Sequence, residues 1–297
     1  MSPAGPAPAR RGAPDILLVL GSIGSIQVSA AVATKMFDEV GAAGATLVRT
    51  VLAAAILLLL VRPRWGAMSA AGRRAVLPYG LALGVMNLAF YLGIERVDLG
   101  TAVAIEFLGP LTVGAVLARR PRDRVWVAVA ALGVLALTEP WSSSGADPVG
   151  VAWLLLAALC WGLYIPLGAR SAAQLPGLEP VAVAMAIAAL VALVPGVVDG
   201  GGELVDPSVL GIGLVTAITG SVVPYSLEQL ALRRIAPGAF GVLMALEPGV
   251  ALLAGLVVLG QAPQLLGLAG IGLVVAAGVG VTRGSAAAPA ASGAPLP

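Results

Sequence analysis

"RVDLGTAVAIEFLGP" (residues 96–110) and "RIAPGAFGVLMALEP" (residues 234–248) share Arg, Gly and Pro in one register. Arg96, Gly100 and Pro110 recur as Arg234, Gly238 and Pro248, 138 residues on, and the same shift lays Gly24 on Gly162. Each stretch holds one carboxylate inside its apolar run, Glu106 or Glu247. The identities are few but ungapped, so the chain reads as two copies of one unit, 15–140 and 149–283, between disordered tails at 1–14 and 284–297.

Outward from these stretches the chain is apolar almost throughout. Of its 297 residues 59% are hydrophobic and 11% charged, where soluble domains carry roughly a quarter charged residues. Runs near the ~20 residues that cross a bilayer lie at 16–36, 43–61, 76–94, 100–118 and 124–139, then at 150–170, 180–198, 208–230, 238–259 and 264–282. The expected fold is an all-α integral membrane protein of ten transmembrane helices. The run from Ile16 to Ala33 is longer than the roughly 7 to 15 apolar residues of a signal peptide, so it reads as a retained helix.

Arginine placement sets the direction. With the N-terminus cytoplasmic, the inner segments hold fourteen of the seventeen basic residues, and the outer loops hold Asp38, Glu39, Glu95, Asp98, Glu139, Asp147, Asp199, Glu203 and Asp206. Both termini are then inside. Five helices per copy is odd, so the second copy enters the membrane upside down. Inverted repeats place a site near the midplane and let one half rock on the other.

Composition excludes several chemistries. The chain has no histidine and a single cysteine, Cys160, which removes intramolecular disulfides, Cys/His zinc sites and histidine acid–base catalysis. No carboxylate cluster suits a divalent metal, and no cofactor is expected. The net charge of +2 follows from arginine in inner loops, and neither a basic block nor interleaved aromatics point to nucleic acid. A membrane-embedded enzyme has little to build on.

Charges inside a bilayer are costly and mark candidate sites. Glu106 lies about 9 Å below the outer end of the fourth helix, at ~1.5 Å per residue. Arg49 is at a comparable depth in the second helix. Two readings stand together: an ion pair with Arg49, or a cavity-facing carboxylate for a substrate ammonium or a proton. Glu247 is close to the midplane of the ninth helix. Pro248 would free the carbonyl of Met244, and Pro110 that of Glu106, although prolines also simply kink helices. Glu228 reads as an interfacial partner of Arg233 or Arg234. Asn87 with Tyr91, and Tyr225 with Gln229, are pairs four apart on one helix face, and the 138-residue shift maps one pair onto the other. They read as two halves of a polar cavity lining, or as glue between helices. Gln27 with Ser25 and Ser29, and Trp161 with Tyr164, could complete that lining.

Taken in order, "YGLALGVMNLAFYLGIERVDLGTAVAIEFLGPLTV" (79–113), "RRPRDRVWV" (119–127), "VPYSLEQLALRRI" (223–235) and "FGVLMALEPGVALLAGLVVLGQ" (240–261) resemble the EamA-type carriers of the drug/metabolite transporter superfamily. Within it the likeness is to bacterial threonine and homoserine exporters, with "SIQ" (25–27) adding weaker similarity. The resemblance implies export of small neutral amino acids across the bacterial inner membrane, proton-driven or facilitated, with substrate between the halves. A homodimer stays open. Glu106, Glu228 and Glu247 are carried over as members of family-like motifs. One departure is Gln261, where relatives commonly have Glu. Export of another metabolite or a drug is the alternative.

Overall fold

Helix starts follow the local chemistry of the chain. In chain order the helices are α1 (Ala13–Ala33), α2 (Phe37–Val61), α3 (Ala70–Ile94), α4 (Leu99–Glu106), α5 (Asp123–Thr138) and α6 (Pro148–Gln174). α7 (Glu179–Gly200), α8 (Pro207–Ala217), α9 (Val223–Leu232), α10 (Glu247–Leu259) and α11 (Leu265–Ala286) follow. The Ser69 hydroxyl accepts from the Gly72 N–H at 3.0 Å to cap α3. Asp-Pro does the same work twice: Asp147 accepts from Val149 N–H at 2.8 Å and Asp206 from Ser208 N–H at 2.7 Å. In both, proline takes the first helical position, where its missing N–H costs nothing.

This computed structural model describes residues 13–64, 66, 68–112, 123–139, 145–232, 244, 247–261 and 265–286, without the side chains of 13–16, 18, 123, 124, 229–232 and 281–286. Among the described residues every regular element is helical. Val19–Val61, Ala70–Ile94, Pro148–Gln174, Glu179–Val205 and Pro207–Glu228 are long and apolar enough to cross a bilayer. The first of these is divided. Thr34–Met36 forms a 3₁₀ turn, and Gly41, at φ +66°, interrupts α2. Asp199, from the end of α7, accepts the Ala43 N–H at 3.0 Å and so caps the helix that restarts there. Leu99–Thr112, Val125–Thr138, Glu247–Leu259 and Leu265–Gly280 are shorter apolar helices.

The packing has a regular scheme. α2 lies on α7, α4 on α10 and α5 on α11, while α3 packs on α6 and α1 on the α8–α9 arm. Close approach of α3 and α7 depends on small residues: a Cβ on Gly80 would meet Ile187 Cβ at 2.6 Å, and one on Gly84 would meet Val191 Cβ at 2.8 Å. This is the small-residue spacing that lets membrane helices touch. Polarity is reversed relative to a soluble protein. Leu60, Leu159, Val194, Val198 and Val257 are exposed, whereas Gln27, Arg49, Thr50, Asn87, Glu106 and Glu247 are buried. Lipid is the medium such a surface suits.

Between α8 and α9 the chain widens into a π turn, Ile218–Val222. A π turn breaks the usual carbonyl pairing and often sits at a functional place. Here Ser29 donates to the Thr216 carbonyl at 3.1 Å, Ser25 to that of Thr219, and Arg49 reaches that of Gly220 at 3.4 Å.

Candidate functional site

Arg49 is 4% exposed and is held from three sides. Its Nη1 donates to Ser221 Oγ at 3.0 Å and to the Gly220 carbonyl; its Nη2 donates to Asn87 Oδ1; and the guanidinium lies over the Tyr91 ring, 4.7 Å from the centroid. Cation–π contact and neutral dipoles thus surround the charge. Nε has no partner. Both ends of the Asn87 amide are engaged, since its Nδ2 also donates to the Leu83 carbonyl at 2.7 Å. Asn87 and Tyr91 therefore orient Arg49, a use the spacing of the pair could not disclose.

Glu106 closes α4, and the helix breaks at Phe107 before resuming toward Pro110. The carboxylate is buried and lies within electrostatic range of Arg49. Among the described residues the two form no ion pair, and no hydrogen bond reaches Glu106. The ion-pair reading is corrected here: Asn87, Ser221 and Tyr91 occupy the guanidinium instead.

A second polar centre joins α1 to α10. Gln27 Nε2 donates to Glu247 Oε1 at 3.0 Å; Gln27 is 1% and Glu247 4% exposed. Gln27 Oε1 and Glu247 Oε2 have no hydrogen-bond partner among the described residues. Pro248 is buried beside Glu247, and the residues between it and Met244 other than Glu247 lie outside the described residues. Glu106 and Glu228 both lie in electrostatic range of Glu247.

Glu228 accepts from Ser22 Oγ at 2.9 Å, so α1 holds it. Arg233, Arg234 and the side chain of Gln229 lie outside the described residues. Tyr225 stands 6.4 Å from Tyr164, whose ring packs on Tyr79 at 4.9 Å. Trp161 meets Phe107 edge-on at 6.2 Å, directly after Glu106. Sequence reasoning missed Tyr79, Ser22, Ser221 and the π turn. The i, i+3, i+7 spacing of Ser22, Ser25 and Ser29 was the available signal for a polar face on α1.

A cavity of about 280 Å³ lies away from these residues, where Arg96, Asp98, Glu139, Asp147 and Gln261 line one end of the bundle. There Arg96 pairs with Asp147 at 3.2 Å. The backbone N–H of Val149 is the main cause holding the Asp147 carboxyl below its ordinary pKa, with Arg96 adding to it. Gln261 Oε1 accepts the Leu99 N–H at 3.1 Å. An amide oxygen makes that helix-start bond as a carboxylate would, so the departure at residue 261 leaves α4 capped.

Residues 148–283 match the model of the EamA-like transporter family. The chain is 40% identical over 268 residues to the threonine/homoserine exporter RhtA of Escherichia coli (strain K12), covering 90% of each chain. It is 39% identical over the same length, again 90% of each, to the RhtA of Salmonella typhimurium (strain LT2). A solved structure described as "Crystal structure of protein" superposes with a TM-score of 0.60 at 16% identity, over 90% of this chain and 96% of that one. That likeness shows a shared fold.

Proposed function

The chain belongs to the EamA-like transporter family, and from that premise we propose that it exports threonine, homoserine and similar small neutral amino acids across the bacterial cytoplasmic membrane. The observation that carries the site reading is the buried pair of opposite charges, Arg49 and Glu106, in electrostatic range yet unpaired among the described residues. A zwitterion has the complementary charges. Glu106 takes the ammonium, while Tyr225 and Gln229 remain candidate donors to the carboxylate. Asn87, expected among those donors, serves them through Arg49.

Transport is by alternating access of two inverted five-helix halves, with both termini cytoplasmic and protons as the coupling ion. The packing scheme supports two related halves. Under the 138-residue shift the pairs α2–α7 and α5–α11 each map onto themselves, α3–α6 maps onto α1 with the α8–α9 arm, and the apolar helix Leu99–Thr112 that contains α4 shifts onto 237–250, which overlaps the start of its partner α10. A pseudo-two-fold axis produces that pattern.

Counterflow of radiolabelled threonine in proteoliposomes tests the reading. The parent protein exchanges threonine, and unlabelled homoserine competes. Glu106→Gln lowers exchange by tenfold or more, the scale of about 1.4 kcal/mol lost at one charge, with little change in melting temperature, because no hydrogen bond of Glu106 to the described residues is removed. Folded parent protein without counterflow of any amino acid in a competitor panel moves the substrate to another metabolite or a drug.

A further inference from the structure

Three buried side-chain atoms among the described residues lack a hydrogen-bond partner: Arg49 Nε, Gln27 Oε1 and Glu247 Oε2. The last two belong to groups already joined to each other by the 3.0 Å bond from Gln27 Nε2 to Glu247 Oε1. We propose that Glu247 is the proton-carrying site of this transporter, and that a proton on its Oε2 completes a two-bond carboxylic acid–amide pair with Gln27.

An ionised carboxylate only accepts, and an amide has one accepting and one donating end. With Glu247 ionised, two acceptors are left over and no donor among the described residues answers either. Turning the Gln27 amide over would set its oxygen against the carboxylate. Protonation makes Oε2 a donor, and an acid and a primary amide can then satisfy each other through one N–H and one O–H bond. Both orphan atoms are sealed from solvent, and a proton is the ligand that needs no added room. A hard metal cation such as Ca²⁺ collects about six to eight oxygens, where this pair offers two.

The surroundings favour a proton that moves with substrate. α4 brings Glu106 toward Glu247 and α9 brings Glu228. α1 contributes Gln27, and the described side chains of α1 and α11 carry no charge. No cation answers Glu247 among the described residues, and an unpaired buried charge is costly. When the substrate ammonium settles at Glu106, its positive charge makes room for a negative Glu247, which yields its proton to water on the open side. When substrate leaves, Glu247 takes a proton back from the water then facing it. One proton is thereby exchanged against one substrate. This coupling rests on the amino-acid carrier reading; the protonation of Glu247 does not.

Infrared spectroscopy of purified protein in sodium-free buffer separates the two. The parent shows the C=O stretch of a protonated carboxylic acid, shifted in D₂O and absent in Glu247→Gln. In Gln27→Leu the band persists at higher frequency, because the bond from the amide N–H is gone. Threonine accumulation in proteoliposomes follows an imposed pH gradient in the parent, and Glu247→Gln loses that response. A parent spectrum whose carboxylic band survives Glu247→Gln overturns the assignment. So does a band unmoved by Gln27→Leu, one that disappears on adding Na⁺, or a variant that still follows the gradient. A parent that carries no threonine defeats the substrate reading, while the infrared band still decides the proton site.

Discussion

Two charged residues buried in this bundle are treated in opposite ways. Arg49 is bound by a hydroxyl, a side-chain amide and a carbonyl, and covered by an aromatic ring, drawn from α3 and the π turn. Among the described residues Glu247 has a single bond, from Gln27, and two acceptors stand idle, its own Oε2 and Gln27 Oε1. The difference teaches what each is suited to do. A guanidinium never loses its proton, so the fold can only surround it with dipoles. A carboxyl can change its own charge, and a site left one donor short invites that change.

The comparison breaks most sharply at Arg49. Arg49→Leu leaves Asn87 Oδ1, Ser221 and the Gly220 carbonyl without their shared donor, and about 3 kcal/mol or more of stability is lost, together with counterflow. Thermal unfolding in detergent checks it, and a melting temperature near the parent's would mean that the cluster is not a structural knot. Gly84→Leu comes next. It forces a side chain into Val191 and the Ala188 backbone, costs about 1 to 3 kcal/mol, and tilts the α3 turn that carries Asn87. Loss of stability without loss of transport would show that Arg49 does not depend on that seam.

Glu247→Gln points the other way. The new amide gives Gln27 Oε1 a donor, so stability stays within about 1 kcal/mol of the parent or rises, in contrast to Arg49→Leu. A large drop would mean that the ionised carboxylate has a partner beyond those described. The smallest effect belongs to Asp147, an exposed carboxylate with bonds to spare. Its folded pKa is depressed, chiefly by the Val149 N–H. Its contribution is therefore present above the ordinary aspartate value of about 3.9 and fades as pH falls through the lower folded value. Asp147→Asn should remove that part of the acid sensitivity and leave transport unaltered, as melting curves over acidic pH would record.

The segments that become helices could be read from hydropathy, because that signal is local. The division of the first apolar stretch was legible as well: the expected second segment begins at residue 43, and α2 restarts after Gly41 where Asp199 caps Ala43. The candidate residues were found by type, since a charge in an apolar run stands out by itself. Their partners were not. Arg49 looked like the mate of Glu106, yet Asn87 and Ser221 took it. The chemistry allows either choice, and only positions in space decide between them.

By itself the sequence determined that this chain is a membrane protein of apolar helices, that few charges enter its interior, and which transporters it resembles. Composition, spacing and motif order are properties of the chain alone. The tertiary structure decided which charges meet. Gln27 and Glu247 are 220 residues apart, and Arg49 and Ser221 are 172 apart. No helical period links residues at such distances. Their meeting depends on which helix faces pack together and on the π turn that aims carbonyls at Arg49, so the donor missing beside Glu247 becomes visible only once the bundle has closed.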